Sequence, residues 1–198
     1  MKNIAFLVLA AGKSSRMKTP KQLVKIGNNF LLEFVLSKAK DINSNHVYCV
    51  LGANSALIRR EISSSNIHFI HNPNFNDGLS ASIVSGVSQL KIKTQNYEAV
   101  LILLGDQPAI EKEYLNAMIS LFSEDKSKII ASNYNGKLGV PAIFPKSYFP
   151  KLKQLSGDFG AKDILNKNND VISFNKQTNF IDLDTAKDIQ DFKRSLLK

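Results

Sequence analysis

One cysteine, four arginines, three histidines and no long apolar run mark this chain of 198 residues. A lone Cys49 excludes an intramolecular disulfide, and its place within the apolar run Val47–Leu51 makes it a small core residue rather than a nucleophile. No apolar stretch is long enough for a membrane-spanning helix, which leaves the cytoplasm as the default compartment. Residues 1–11 imitate a signal peptide, because Lys2 precedes a short apolar stretch that ends in small residues. Basic residues follow at once, and a buried first strand accounts for the stretch better. His46, His68 and His71 are too strand-like and scattered to suggest a zinc site. The net charge of +9 comes mostly from dispersed lysines, so surface solvation explains it better than a nucleic-acid interface. The positive field would still attract small polyanionic substrates. With no repeat and no linker, residues 1–198 are expected to form one domain large enough to bury its own core.

What is present is an alternation of short β-branched runs with longer amphipathic segments. The runs predict strands at 4–9, 47–51, 67–70, 99–104, 128–132, 141–144, 171–174 and 180–183. The amphipathic segments predict helices at 30–40, 56–64, 80–90, 113–122, 161–167 and 185–196. That order specifies an α/β fold, a three-layer α/β/α sandwich with a mostly parallel sheet and ligands at the carboxyl ends of its strands. Pro141, Pro145 and Pro150, with Gly136 and Gly139, break the pattern after Ser132 and predict an insertion over part of that face.

Three segments carry chemistry. Leu9, Ala10, Ala11, Gly12, Lys13, Ser14, Ser15, Arg16 and Met17 follow the first strand directly. Small residues there let the backbone approach a ligand, amides can face phosphate oxygens, and Lys13, Arg16 and Lys21 add positive charge. The loop has neither the glycine spacing of a Walker A motif nor a three-glycine dinucleotide fingerprint. An ordinary basic loop between strand and helix would share these few features. The second segment, Gly105, Asp106, Gln107 and Pro108, presents a carboxylate after a buried strand, where magnesium beside phosphate oxygens would use it; a turn-forming Asp is the plainer alternative. In the third, Thr185 and Asp188 form a capping box for the last helix, which leaves Asp184 unexplained by capping. Asp182 and Asp184, two apart on a strand end, face the same way, and Asp184 is the preferred second metal carboxylate; solvated or capping carboxylates are an equal reading of this segment taken alone.

The first loop, followed by Pro20, Lys21, Gln22 and Leu23, closely resembles the signature of the molybdenum cofactor cytidylyltransferase-like nucleotidyltransferases, in the glycosyltransferase A-type superfamily. The resemblance runs through almost the whole chain. Asn72 and Pro73 with Gly78, Leu79, Ser80, Ala81, Ser82 and Gly86 resemble the central motif, and Gly105, Asp106, Gln107 and Pro108 the metal motif. Gly139 with Pro141 resembles the acceptor-side strand, Gly157, Asp158, Phe159, Gly160, Ala161 and Lys162 a motif of the cytidylyl branch, and Asp182, Leu183, Asp184 and Thr185 the segment before the final helix. Six motifs in the right order are strongly specific. Three positions depart from the pattern: Lys18 stands in place of Gly, Val140 in place of a frequent His, and Lys162 in place of a frequent Arg. The last two lie on the acceptor side.

The resemblance implies a Rossmann-like nucleotidyltransferase fold and a reaction in which the phosphate of molybdenum-bearing molybdopterin attacks the α-phosphorus of CTP, releasing pyrophosphate with Mg2+ as cofactor. It implies catalytic roles for Arg16, Lys21 and Asp106, metal binding by Asp106 and Asp184, nucleotide contacts from residues 9–16, Lys21, Asn72, Ser80 and Ser82, and acceptor contacts from Asp158 and Lys162. Capping is an equal reading for the serines, and close packing a better one for Gly78 and Gly86. Ala11 stands where guanylyl relatives carry a second glycine, which favours CTP over GTP. The product's receiver would be a molybdenum hydroxylase or its maturation chaperone, with no nucleic acid and no membrane involved. Two alternatives stay open: a transferase using GTP or another triphosphate with a different phosphorylated acceptor, and a nucleotide- or cofactor-carrying protein without turnover.

Overall fold

The computed structural model describes residues 3–14, 17, 19–62, 66–90 and 96–196. Its centre is a seven-stranded sheet in the order β5-β4-β1-β6-β8-β7-β9. The strands are β1 (Ile4–Ala10), β4 (Val47–Leu51), β5 (Ile67–His71), β6 (Ala99–Leu104), β7 (Ile129–Tyr134), β8 (Lys137–Pro145) and β9 (Val171–Phe174). β1 pairs in parallel with β4 and β6, so its backbone is satisfied on both edges and every one of its residues is buried. Continuous apolar sequence is what a strand covered on both faces requires.

Alternate residues of β1 feed opposite sides of the sheet. Ile4, Phe6, Val8 and Ala10 pack with α1 (Leu31–Ile42), α2 (Ser55–Glu61) and α4 (Lys112–Glu124). Ala5, Leu7 and Leu9 pack with α3 (Gly78–Gln89), α5 (Phe149–Leu152) and α6 (Lys162–Asn166). This is the predicted three-layer, mostly parallel α/β architecture. Gly86 lets α3 settle on the sheet: a Cβ there would lie 2.6 Å from a Leu7 methyl. The last helix, α7 (Ala186–Ser195), starts at the predicted capping box, where the Asp188 amide donates to Thr185 Oγ1 and the Thr185 amide to Asp188 Oδ2. It buries Ile189 and Phe192, the latter edge-on to Phe34.

Two expectations are corrected. The region after Ser132 is not an insertion over the site face but a hairpin inside the sheet. Asn135 and Gly136, with φ of 52° and 93°, turn the chain, and β8 runs antiparallel between β6 and β7. Pro141, which has no N–H for a ladder, falls where the β7–β8 register shifts, and Pro145 ends the strand. Residues 180–183 form no strand. Ile181 and Leu183 are held by side-chain packing beside Leu31 and α7, and the Leu183 amide donates to the Asp106 carbonyl rather than into a ladder. Alternating apolar residues read as a strand, whereas here they anchor an irregular crossing. Reading by runs also passed over the small hairpin β2 (Lys25–Ile26) and β3 (Asn29–Phe30), which turns on Gly27 at φ 61°. Among the described residues no helix is long and apolar enough to cross a membrane.

Candidate functional site

A cleft of about 320 Å³ opens at the carboxyl ends of β1 and β6. Leu9, Ala10, Ala11 and Gly12 form one wall, Leu104, Gly105 and Asp106 a second, and Phe75, Gly78, Leu79 and Ser82 a third, with Lys21 and Gln22 between them. The parallel order forces this meeting, since β1 and β6 are neighbours and both turn into loops at the same edge.

Gln22 organises the first loop. Its side chain is 3% exposed, and Nε2 donates to the carbonyls of Ala10 and Gly12 at 2.8 and 3.1 Å. Its Oε1 accepts from Ser14 Oγ, which in turn accepts from the Lys21 amide at 2.9 Å. Ser14 sits at φ 55°, so the chain reverses there. One buried amide thus turns two loop carbonyls inward. We expect Gln22→Ala to cost about 1–3 kcal/mol of stability from the unpaired carbonyls and to weaken triphosphate binding. Paired melting and nucleotide-titration measurements check this; unchanged nucleotide affinity in a destabilised variant would reduce Gln22 to packing alone.

Lys21 lies at the end of that network and bridges two carboxylates. Nζ donates to Asp106 Oδ2 at 2.5 Å and to Asp184 Oδ1 at 2.7 Å, with Lys21 and Asp106 largely shielded and Asp184 about half exposed. Burial by itself would lower the lysine's pKa, but the charge and hydrogen bond of Asp106, then those of Asp184, outweigh it and hold the pKa above the usual value. Asp182 takes another direction than the expected strand implied: Oδ1 accepts from Gln107 Nε2 at 2.9 Å. Burial, then the nearby charges of Asp106 and Asp184, raise its pKa above the ordinary carboxylate value. Gln107 Nε2 also reaches Tyr134 Oη, a phenol pushed up to about 12 chiefly by burial, and Tyr134 Oη donates to the Val140 carbonyl.

Asp106 and Asp184 therefore point at one cation-sized position. Two carboxylates are the protein share that magnesium uses when substrate phosphates complete its shell, so the donor set fits that ion. Among the described residues no group of three or more His, Cys, Asp or Glu side chains is placed to hold a metal without such help.

The other nominated residues divide. Ser82 lines the cleft and accepts from Asn72 Nδ2. Asn72 lies behind it, 1% exposed, and its Oδ1 accepts from the Asn74 amide, holding the turn that carries Phe75. Ser80 is directed away from the cleft: its hydroxyl donates to the carbonyl of Ser156 at 3.1 Å and faces that of Gly160. It thereby anchors the loop bearing Asp158. That carboxylate lies against Gly78, a residue of the cleft wall, where φ is 85° and any Cβ would overlap it. Lys162, the first residue of α6, is exposed. Lys13 is exposed too, with Nζ 5.6 Å from the centre of the Phe75 ring. Ser15 and Arg16, and the departure at Lys18, lie outside the described residues.

Sequence reasoning assigned no role to Gln22, Phe75 or Gln107. Gln22 and Gln107 each stand between a charged and an apolar residue, within motifs already singled out, but their partners are distant backbone and side-chain groups that periodicity cannot reveal.

A family model described as MobA-like NTP transferase domain matches residues 6–171. The bifunctional protein GlmU of Ruthia magnifica subsp. Calyptogena magnifica is 30% identical over 168 residues, 84% of this chain and 35% of GlmU, so the chain spans about a third of that relative. The purine catabolism protein PucB of Bacillus subtilis is 28% identical over 79% of this chain and 78% of its own length. The crystal structure of Rv0371C in complex with manganese, from Mycobacterium tuberculosis, has the same fold, with a TM-score of 0.77, 21% identity and 98% of each chain covered.

Proposed function

The chain belongs to the MobA-like NTP transferase domain family, and from that premise we propose that it is a cytidylyltransferase moving CMP from CTP to the phosphate of a molybdopterin-type acceptor carrying molybdenum. The observation that carries the reading is the convergence of Lys21, Asp106 and Asp184 beside the loop of small residues after β1. Magnesium held by Asp106 and Asp184 would supply charge neutralisation at the phosphates; the manganese in the Rv0371C complex supports a divalent ion in this fold.

The chain's own residues do the positioning. Amides of residues 11–14, with Lys13 and Arg16, receive the triphosphate, and Lys21 leaves the carboxylates to meet its oxygens. An acceptor phosphate oxygen forms the new bond to the α-phosphorus as the bond to the bridging oxygen of the β-phosphate breaks and pyrophosphate departs. The attacking phosphate is already ionised, so no general base is needed, and catalysis rests on alignment and charge. Asp158, held beside Gly78 on a loop that Ser80 anchors, and Lys162 face the acceptor in this reading. A molybdenum hydroxylase or its chaperone would receive the product.

Thermal melting with each of the four triphosphates and magnesium tests the nucleotide site, since a ligand at ~100 times its Kd adds about 2.7 kcal/mol. No stabilisation by any of them would end the reading. The base is tested at Ala11, 7% exposed in the cleft wall. Its methyl narrows the wall against which the base lies, so we expect CTP to be preferred and Ala11→Gly to relax the preference by about tenfold, the scale of a single methyl group. Pyrophosphate release from CTP and GTP, with molybdopterin as acceptor, measures both. A wild-type preference for GTP would remove the cytidylyl assignment and leave the transferase chemistry standing, while an unchanged ratio in Ala11→Gly would place discrimination at other residues.

A further inference from the structure

Asp106 sits on the buried turn that joins β6 to α4, and the backbone of that turn is hydrogen-bonded on three sides. The Gly105 amide donates to the Leu9 carbonyl and the Leu183 amide to the Asp106 carbonyl, fixing it to β1 and to the segment that carries Asp184. The third tie comes from α1, where Lys38 Nζ donates to the carbonyls of Pro108 and Ile110 at 2.5 and 2.9 Å. We propose that Lys38 is a positioning residue which, through these two carbonyls, sets the place of Asp106 relative to Asp184. The inference rests on the reading of Asp106 and Asp184 as metal carboxylates.

Lys38 stands beside the buried apolar face of α1. Val35, Leu36 and Ala39 are buried, and Lys38 lines a small void with Val35, Leu103, Gln107 and Ile110. An apolar side chain would fill that place without desolvating a charge. The chain instead keeps an ammonium whose pKa burial lowers, against weaker opposition from Glu111 and Glu113. No carboxylate lies within ion-pair distance of it among the described residues, so its direct partners are the two carbonyls. Neither carbonyl has another donor among the described residues. Without Lys38 the backbone of the turn loses its hydrogen bonds to α1 and keeps those to β1 and to the Asp184 segment, beside the side-chain bonds of Lys21 to Asp106 and of Gln107 to Tyr134 and Asp182. A metal site tolerates little of that freedom, because ligands must be held within about 0.5 Å of a productive arrangement.

The test is Lys38→Met in the full chain, read first by Mn2+ affinity in the presence of CTP, from the free-ion electron paramagnetic resonance signal. Outer supports of metal ligands are typically worth about 10- to 100-fold in affinity or activity, and we expect a loss at the lower end of that range, with kcat falling and KM for CTP little changed. Lys38→Arg, which keeps donors directed at the carbonyls, should recover most of both. If Lys38→Met does not fold, Lys38→Gln, whose shorter amide reaches one carbonyl at most, serves for the same comparison. A lower melting temperature with wild-type Mn2+ affinity and kcat would overturn the proposal, since that is the signature of a purely structural residue. Asp106→Asn is the reference: if it binds Mn2+ as tightly as wild type, the metal reading itself falls, whereas loss there with full retention in Lys38→Met sinks the positioning role alone.

Discussion

Asp106→Asn should lose turnover by on the order of a thousandfold, corresponding to about 4 kcal/mol of transition-state stabilisation, and should remain folded. The amide keeps the shape of the side chain and the backbone ties of its turn, which run through the Gly105 amide and the Asp106 carbonyl rather than through the carboxylate. It removes one of the two charges directed at the cation position. Lys21 keeps Asp184 as a partner, so no buried ammonium is stranded and only a small stability change is expected. Pyrophosphate release at saturating CTP and magnesium, with a melting curve on the same sample, separates the two effects. Activity within tenfold of wild type would show that Asp106 is not a metal carboxylate, and an unfolded variant would show that its charge serves the fold.

The layers were legible because burial on both faces leaves an unmistakable trace: Ile4–Ala10, Val47–Leu51 and Ala99–Leu104 are apolar throughout and form the centre of the sheet. The same rule misled at 180–183, where Ile181 and Leu183 alternate for packing against Leu31 and α7 with no ladder to join. It also misled after Ser132, because proline and glycine mark both loops and irregular strands, and here Pro141 sits at a register shift of β8. In the site, Asp106 was legible from its place after an apolar run, and Asp184 because capping accounted for Asp188 and not for it. That the two meet across one ammonium depends on a crossing of 78 residues that no local pattern encodes. Lys38 was invisible for the same reason, since its partners are backbone carbonyls 70 and 72 residues away.

Lys21→Met should move two affinities in opposite directions. The ammonium occupies the position to which Asp106 and Asp184 both point, so an arriving divalent ion must displace it. In the proposed reaction, triphosphate arriving with the metal would offer the displaced ammonium phosphate oxygens as new partners. Free metal offers no such compensation. Removing the ammonium should therefore strengthen Mn2+ binding in the absence of nucleotide. A unit charge at ~4 Å is worth about 4 kcal/mol at an effective dielectric near 20, and screening at half-exposed Asp184 leaves an expected gain of about tenfold. The same variant should bind CTP with magnesium about tenfold to a hundredfold more weakly, because each charged hydrogen bond to phosphate contributes ~1.5–3 kcal/mol. Methionine, one atom shorter, keeps most of the unbranched stem, so packing changes little, and Lys21→Arg should stay near wild type for free metal. Lys25 is the control: it is exposed, with its Nζ 5.8 Å from the centre of the Phe30 ring, and Lys25→Ala should alter neither affinity by more than about twofold. Weaker Mn2+ binding by Lys21→Met without nucleotide would show that the ammonium does not compete for the carboxylate pair. Equal losses of CTP affinity in the Lys21 and Lys25 variants would reduce both to a general positive field, and the specific handover of Lys21 from carboxylates to phosphates would have to be abandoned.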